Sequence, residues 1–187
     1  MKDYREKVLL RDGREVILRS PEPADAPKIL DWFTDLVAED TFINAPPTSD
    51  PTLEDEERFL NRMLERVESV DALHLYAEDS NNHIIGHMGI ERGGGRAAHS
   101  AELATAVSKD WRDCGLGTAL IRTHLAEIHR LNVRSLRLGV MANNPRAFHL
   151  YKKFGFREWG RCPERLRYRG EYVDLIEMWL PIRDIEP

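Results

Sequence analysis

The sequence is poor in the features that would take it out of the ordinary globular class. It has two cysteines in 187 residues, Cys114 and Cys162, and no CxxC pair. Neither a disulfide framework nor a four-thiolate zinc site can be built from them, so they read as free thiols in a reducing compartment. There is no run of about 18 apolar residues to span a bilayer. The opening MKDYREKVLLRDGR has no apolar stretch behind its charges to serve as a signal peptide. A cytoplasmic protein with no membrane partner is expected. Long linkers, internal repeats and low-complexity tracts are also missing, and residues 1–187 read as a single domain. Excess basic charge is absent too. With 27 Lys and Arg against 32 Asp and Glu, the formal charge of -5 gives no global field to collect phosphates, which argues against a nucleic-acid binder.

What is present is unevenly spread. Residues 22–71 carry fourteen carboxylates and four basic side chains, a local balance of -10, while residues 110–170 carry thirteen basic side chains and five carboxylates, a balance of +8. Such a split is either two solvated faces of one surface or a hint of partners of opposite sign.

Hydrophobic periodicity gives the element order βααβββαβαββ. EVILRS alternates as a first strand, ended by Pro21 and Pro23. Ile29, Leu30, Phe33, Leu36 and Val37 recur at helical spacing, and Thr52 caps a second helix in which Leu53, Leu60, Met63, Leu64 and Val67 share a face. DALHLYAED and HIIGHMGIER form a hairpin around SNN, followed by the short strand SAELATAV. A helix is predicted over 116–131, a strand over RSLRLGVM, and a helix over NNPRAFHLYKKF with Asn144 as cap, Pro145 at its first position and Gly155 just past its end. FREWGR and YVDLIEMWL close the chain as strands around RYRGEY. The fold class is a mixed α/β sheet, mostly antiparallel, with one parallel crossover from about 101 through the helix at 116 into the strand at 135–141.

That crossover carries RDCGLGT, residues 112–118, at a strand-to-helix junction. Gly115 and Gly117 allow close backbone approach, and the first helical turn offers unpaired N–H groups and positive dipole charge, an arrangement suited to phosphates. A Walker A loop needs GxxxxGK[ST], which is absent. A dinucleotide fingerprint needs a third glycine where Leu120 stands and a carboxylate where Met141, Ala142 and Asn143 stand.

VSKDWRDCGLGTALI followed by LRLGVMANNPRAFHLYKKFGF resembles the signature region of the GNAT superfamily of acyl-CoA-dependent N-acyltransferases. The family's [RQ]xxGxG/A loop falls on Arg112, Gly115 and Gly117, and its NxxAxxLYxxxGF pattern on Asn144, Ala147, Leu150, Tyr151, Gly155 and Phe156. The likeness covers residues 102–156 in its motifs and nearly the whole chain in element order. It departs from the usual pattern at Asp113, where glycine is common, and at Lys109, where proline is common. The Asp113 side chain is expected to face solvent.

The resemblance implies a GNAT-like fold in which two parallel strands, 101–107 and 135–141, splay apart around acetyl-CoA. It places the pantetheine arm along the edge near Val107 and against Asn144, and the pyrophosphate on the N–H groups of Arg112, Asp113, Cys114, Gly115, Leu116, Gly117 and Thr118. Arg112, Arg146, Lys152 and Lys153 are near enough in sequence to help hold the phosphates. The reaction it implies is attack of a neutral amine on the thioester. An alkyl amine is only roughly 0.1% neutral at pH 7, so a base matters. Glu102 is the candidate base, against the plain reading of a strand-end carboxylate in solvent. Tyr151 is the candidate acid for the departing thiolate, against that of a core aromatic near Phe148 and Phe154. His87 and His99 are further candidates for base, and no histidine pair has metal-ligand spacing on one face. The acceptor, a small-molecule amine or a peptide or protein N terminus, is expected against the acidic first helices, with Trp32 and Phe42 as contacts and Asp35, Glu39 and Asp40 beside them. A CoA-binding module without turnover is the alternative, and a homodimer through the C-terminal strands is expected.

Overall fold

The computed structural model describes residues 3–43 and 50–182. The chain divides into two compact units, one of Met1–Glu91 with Ala104–Leu131, the other of Arg92–Leu103 with Asn132–Pro187.

In the first unit, strands β1 (Arg5–Leu9), β2 (Glu15–Arg19), β3 (Ala72–Glu78) and β4 (Ile84–Arg92) form an antiparallel run in that order. Helices α1 (Ala26–Ala38) and α2 (Leu53–Glu68) cover one face. Their apolar stripes bury Ile29, Trp32, Leu36, Leu60 and Met63 with Tyr76 of β3 and Ile84 of β4. Thr52 caps α2 as expected, accepting from the Asp55 N–H while Asp55 reaches back to the Thr52 N–H. On the other face Gly86 leaves room for Leu116, the first residue of helix α3 (Leu116–Glu127). The α-helix stops at Glu127, and residues expected to continue it, Ile128–Leu131, tighten into a 3-10 turn.

β1 has no counterpart in the sequence-predicted order. Its residues are charged except Val8 and Leu9, Leu9 is 69% exposed, and no alternation marks it. It is an edge strand of the kind whose charges discourage further pairing, and those charges hide it from a hydrophobic pattern. Deeper in the same unit, Arg19 grips both oxygens of Asp25 at 2.7 and 2.6 Å and donates to Glu78 at 2.6 Å, and Lys28 donates to the same Glu78 oxygen at 2.9 Å. Burial alone would raise the Glu78 carboxyl, but the hydrogen bonds and charges of Arg19 and Lys28 outweigh it and hold the group down at about 2. The network ties β2, the entry to α1 and β3 together.

In the second unit β6 (Ser135–Met141) is paired along its length with β8 (Glu171–Pro181), which pairs in turn with β7 (Arg157–Tyr168). β5 (Ser100–Val107) begins in this unit and ends in the first. Its register with β6 is parallel and confined to Ser100, Ala101 and Glu102 against Ser135, Leu136 and Arg137, as expected of a pair that parts. Helix α4 (Pro145–Lys153) starts as read: Asn144 Oδ1 accepts from the Ala147 N–H at 3.1 Å. Gly155 follows with φ +87°. β7 runs to Tyr168, well beyond the FREWGR stretch. Pro163 is accommodated within a register shift between Cys162 and Leu166, where a missing N–H costs no ladder bond. The mixed, mostly antiparallel sheet with one parallel pair is the fold class the sequence called for.

Candidate active site

The glycine loop belongs to the first unit. After Val107 the chain makes a 3-10 turn over Lys109–Trp111, and Gly115, with φ +104°, turns it into α3. No side chain caps this helix and no acidic residue stands in its first turn. The first backbone bond runs from the Ala119 N–H to the Gly115 carbonyl at 3.0 Å. The N–H groups of Leu116, Gly117 and Thr118 therefore lack helical acceptors and form the positive end of the helix dipole. Asp113 also has a left-handed backbone, φ +60°, and its side chain is exposed, as expected. Cys114 is buried, with Sγ donating to the Trp111 carbonyl, and Leu116 is fully buried. At these two positions only the backbone is left to meet a ligand.

Arg112 does something other than reach for phosphates. Its Nε donates to the Val107 carbonyl at 2.8 Å, and its guanidinium pairs with Glu39 at the end of α1. Glu39 also accepts from the Lys109 N–H at 3.1 Å. The side chain assigned to the cofactor and the acid assigned to the acceptor region thus hold each other and the loop's entry. A second clamp was not foreseen. From the turn between β1 and β2, the Arg11 N–H donates to the Cys114 carbonyl at 2.9 Å and its Nη2 to the Asp113 carbonyl at 3.1 Å. Arg14 donates to the Asp110 carbonyl at 3.1 Å and lies over the Trp111 ring at 3.9 Å. The only sequence signal for this turn was the Asp12–Gly13 pair, whose meaning depends on recognising the strand before it.

Trp32 is 8% exposed, packs edge-on against Tyr76 and His87, and donates from Nε1 to Ser108 Oγ at 2.9 Å. It is mainly core and an anchor for the segment after β5. Phe42 is half-buried, and much of the α1–α2 connection expected to line the acceptor side, residues 44–49, lies outside the described residues. Beneath Trp32, His87 Nε2 and His74 Nδ1 are 3.1 Å apart with their rings stacked. A Cβ at Gly89 would sit 2.5 Å from the His74 ring, so glycine makes the space. Burial, with His74 and His124 adding to it, pushes His87 well below its ordinary value, and burial takes His124 to about 4. The His87 and His124 rings are therefore neutral at pH 7. Among the described residues no group of three or more His, Cys, Asp or Glu side chains is placed to hold a metal, and no helix is long and apolar enough to cross a membrane.

The remaining predicted residues belong to the second unit. Glu102 is exposed, in register with Arg137. Asn144 is 8% exposed and its side-chain oxygen is committed to capping α4. Tyr151 is 7% exposed, and burial raises its phenol to about 12. Its ring neighbour is Phe156, edge-on at 5.8 Å, rather than Phe148 or Phe154, because the turn at Gly155 folds Phe156 back toward α4. A hollow of about 280 Å³ is lined by His99, Arg134, Ser135 and Trp179, none of which belongs to either motif.

Comparison with known proteins agrees with both motifs. The family described as acetyltransferase (GNAT) matches residues 32–156. The L-amino acid N-acetyltransferase AaaT of Escherichia coli is 31% identical over 97 residues, 51% of this chain and 60% of that protein. Spermidine N(1)-acetyltransferase of Vibrio cholerae is 32% identical over 82 residues, 43% of this chain and 47% of that protein. The chain therefore spans about half the length of these curated relatives. A GNAT-family acetyltransferase from Streptococcus pneumoniae superposes with a TM-score of 0.79 at 25% identity, over 89% of this chain and 98% of that one. With the family match covering well over half of its length, the chain belongs to the GNAT acetyltransferase family.

Proposed function

We propose that this protein, as one domain over residues 1–187, is an N-acetyltransferase that passes the acetyl group of acetyl-CoA to a primary amine by direct attack in a ternary complex. The observation that carries the reading is the loop: three unpaired N–H groups at Leu116, Gly117 and Thr118, opened by a left-handed Gly115 and free of acidic side chains in the helical turn. The N–H groups of Asp113 and Cys114 extend the cradle for the pyrophosphate, whereas that of Arg112, expected to join them, is spent on the Lys109 carbonyl at 3.2 Å. The pantetheine arm follows the edge near Val107 and Asn144. The amine nitrogen attacks the thioester carbonyl. A backbone N–H around Val107 steadies the oxyanion that forms. The C–S bond then breaks as the Tyr151 phenol gives its proton to the departing sulfur, and the proton lost by the amine passes through water to Glu102. The Tyr151 phenol is protonated at neutral pH, the form this role requires, although burial, by raising it to about 12, makes it a weaker acid than a free phenol.

The acceptor is a small-molecule amine, in line with relatives named for L-amino acids and spermidine, or a peptide N terminus. Trp32 and Phe42 mark its side of the site. The enzyme acts in the cytoplasm as a homodimer formed through the C-terminal strands, of which β7 is exposed over most of its length. Titration calorimetry with acetyl-CoA and CoA tests the reading. Saturable binding is expected, and absence of heat and of any thermal shift at millimolar ligand would overturn it. Binding without thiol release on any amine would leave a CoA-binding module without turnover.

A further inference from the structure

We propose that Arg11, on the turn between β1 and β2, is a second phosphate ligand of the loop and contacts the pyrophosphate of acetyl-CoA with its guanidinium. The inference rests on the reading above for the existence of the phosphate site and adds a residue from outside both motifs. Three observations lead to it. The arginine of the motif, Arg112, is already engaged by Glu39 and the Val107 carbonyl, so its fork is not free for a phosphate. Arg11, by contrast, has no carboxylate partner among the described residues, and its single side-chain bond is to the Asp113 carbonyl. That bond and the Arg11 N–H on the Cys114 carbonyl fix the side chain against the loop. Its Nε lies 3.2 Å from where a Cβ would stand on Gly115, the residue that opens α3.

The electrostatics then call for an anion. A fixed guanidinium at the positive end of a helix, with no acid in the helix's first turn, is an arrangement of like charges. A pyrophosphate placed there turns both repulsions into attractions, and Arg11 is exposed, with most of its five N–H donors unspent. Glycine at 115 serves this side chain as well as the turn, since any larger residue would meet the guanidinium.

The test compares wild type, Arg11→Ala, Arg11→Lys and the charge control Lys7→Ala, an exposed residue of β1, by calorimetry with CoA, 3′-dephospho-CoA and pantetheine. Arg11→Ala is expected to weaken CoA and dephospho-CoA alike by about tenfold. Pantetheine affinity should be unchanged, and the thermal midpoint should fall by no more than about 2–4 °C, the loss of one exposed hydrogen bond to the loop. Arg11→Lys should fall between, and Lys7→Ala should match wild type. Equal affinity of Arg11→Ala and wild type for CoA overturns the proposal. So does a loss that appears equally with pantetheine, which has no phosphate, or one confined to CoA, which would put the contact on the 3′-phosphate. If wild type binds none of the three, the phosphate site itself is refuted, an outcome distinct from a site that ignores Arg11.

Discussion

The loop at 112–118 and helix α4 carry the two halves of the same family signature, yet they are built in opposite ways. The loop presents backbone and turns its side chains elsewhere: Cys114 and Leu116 inward, Asp113 to solvent, Arg112 onto Glu39 and Val107. α4 carries the buried side chain to which the proposed reaction assigns a proton-donating role. Its Tyr151 is set in apolar surroundings beside Phe156, and the helix around it is capped and ended by Asn144 and Gly155. A main-chain site tolerates changes of side chain so long as the turn survives. A side-chain site tolerates changes of neighbours so long as one atom survives.

The largest expected effect follows from that one atom. Tyr151→Phe should lower kcat by roughly 10²- to 10³-fold while leaving CoA affinity within about twofold, as steady-state kinetics and calorimetry would register. A loss shared by CoA affinity and thermal stability would make Tyr151 a packing residue instead. The pH dependence sharpens the point. Because burial raises the phenol to about 12, the proton-donating form persists to higher pH than usual, so no fall in kcat from this group is expected below about pH 11.

The loop should respond to backbone strain next. Gly115→Val forces a branched residue to φ +104° and into Arg11, at a cost of about 1–3 kcal/mol, which should weaken CoA binding roughly tenfold or more. Glu39→Gln keeps an acceptor for the Lys109 N–H but removes the charge partner of Arg112. With both groups partly exposed the expected loss is about 1 kcal/mol or less, read as a shift in unfolding midpoint or in CoA affinity. Asp113→Asn should have the smallest effect. It suits the left-handed backbone and removes a negative charge near the phosphates, so CoA affinity should rise by about twofold at low salt and not at high salt.

How much of this was legible in the sequence follows from the same contrast. The glycines, the cap at Asn144 and the tyrosine are local signals with fixed spacing, and the elements around them stood where expected. The partners that hold the loop were not legible, because Arg11, Arg14 and Glu39 are distant in sequence and meet it only through β1, β2 and α1. β1 was hidden by its charges, and the extension of β7 runs across a register shift between Cys162 and Leu166 that breaks the strand's alternation. The charge count of residues 22–71 suggested an acidic face for a cation, yet within that segment Asp25 is paired with Arg19 and Glu39 with Arg112, both from outside it. Composition counts charges without their partners.

Release of free thiol from acetyl-CoA, followed across a panel of amino acids, polyamines and N-terminal peptides with wild type and Tyr151→Phe side by side, tests the central claim most directly. The account predicts that at least one amine drives release by wild type and that Tyr151→Phe slows it by two orders of magnitude or more. Amine-driven release that proceeds equally fast in both proteins would contradict it.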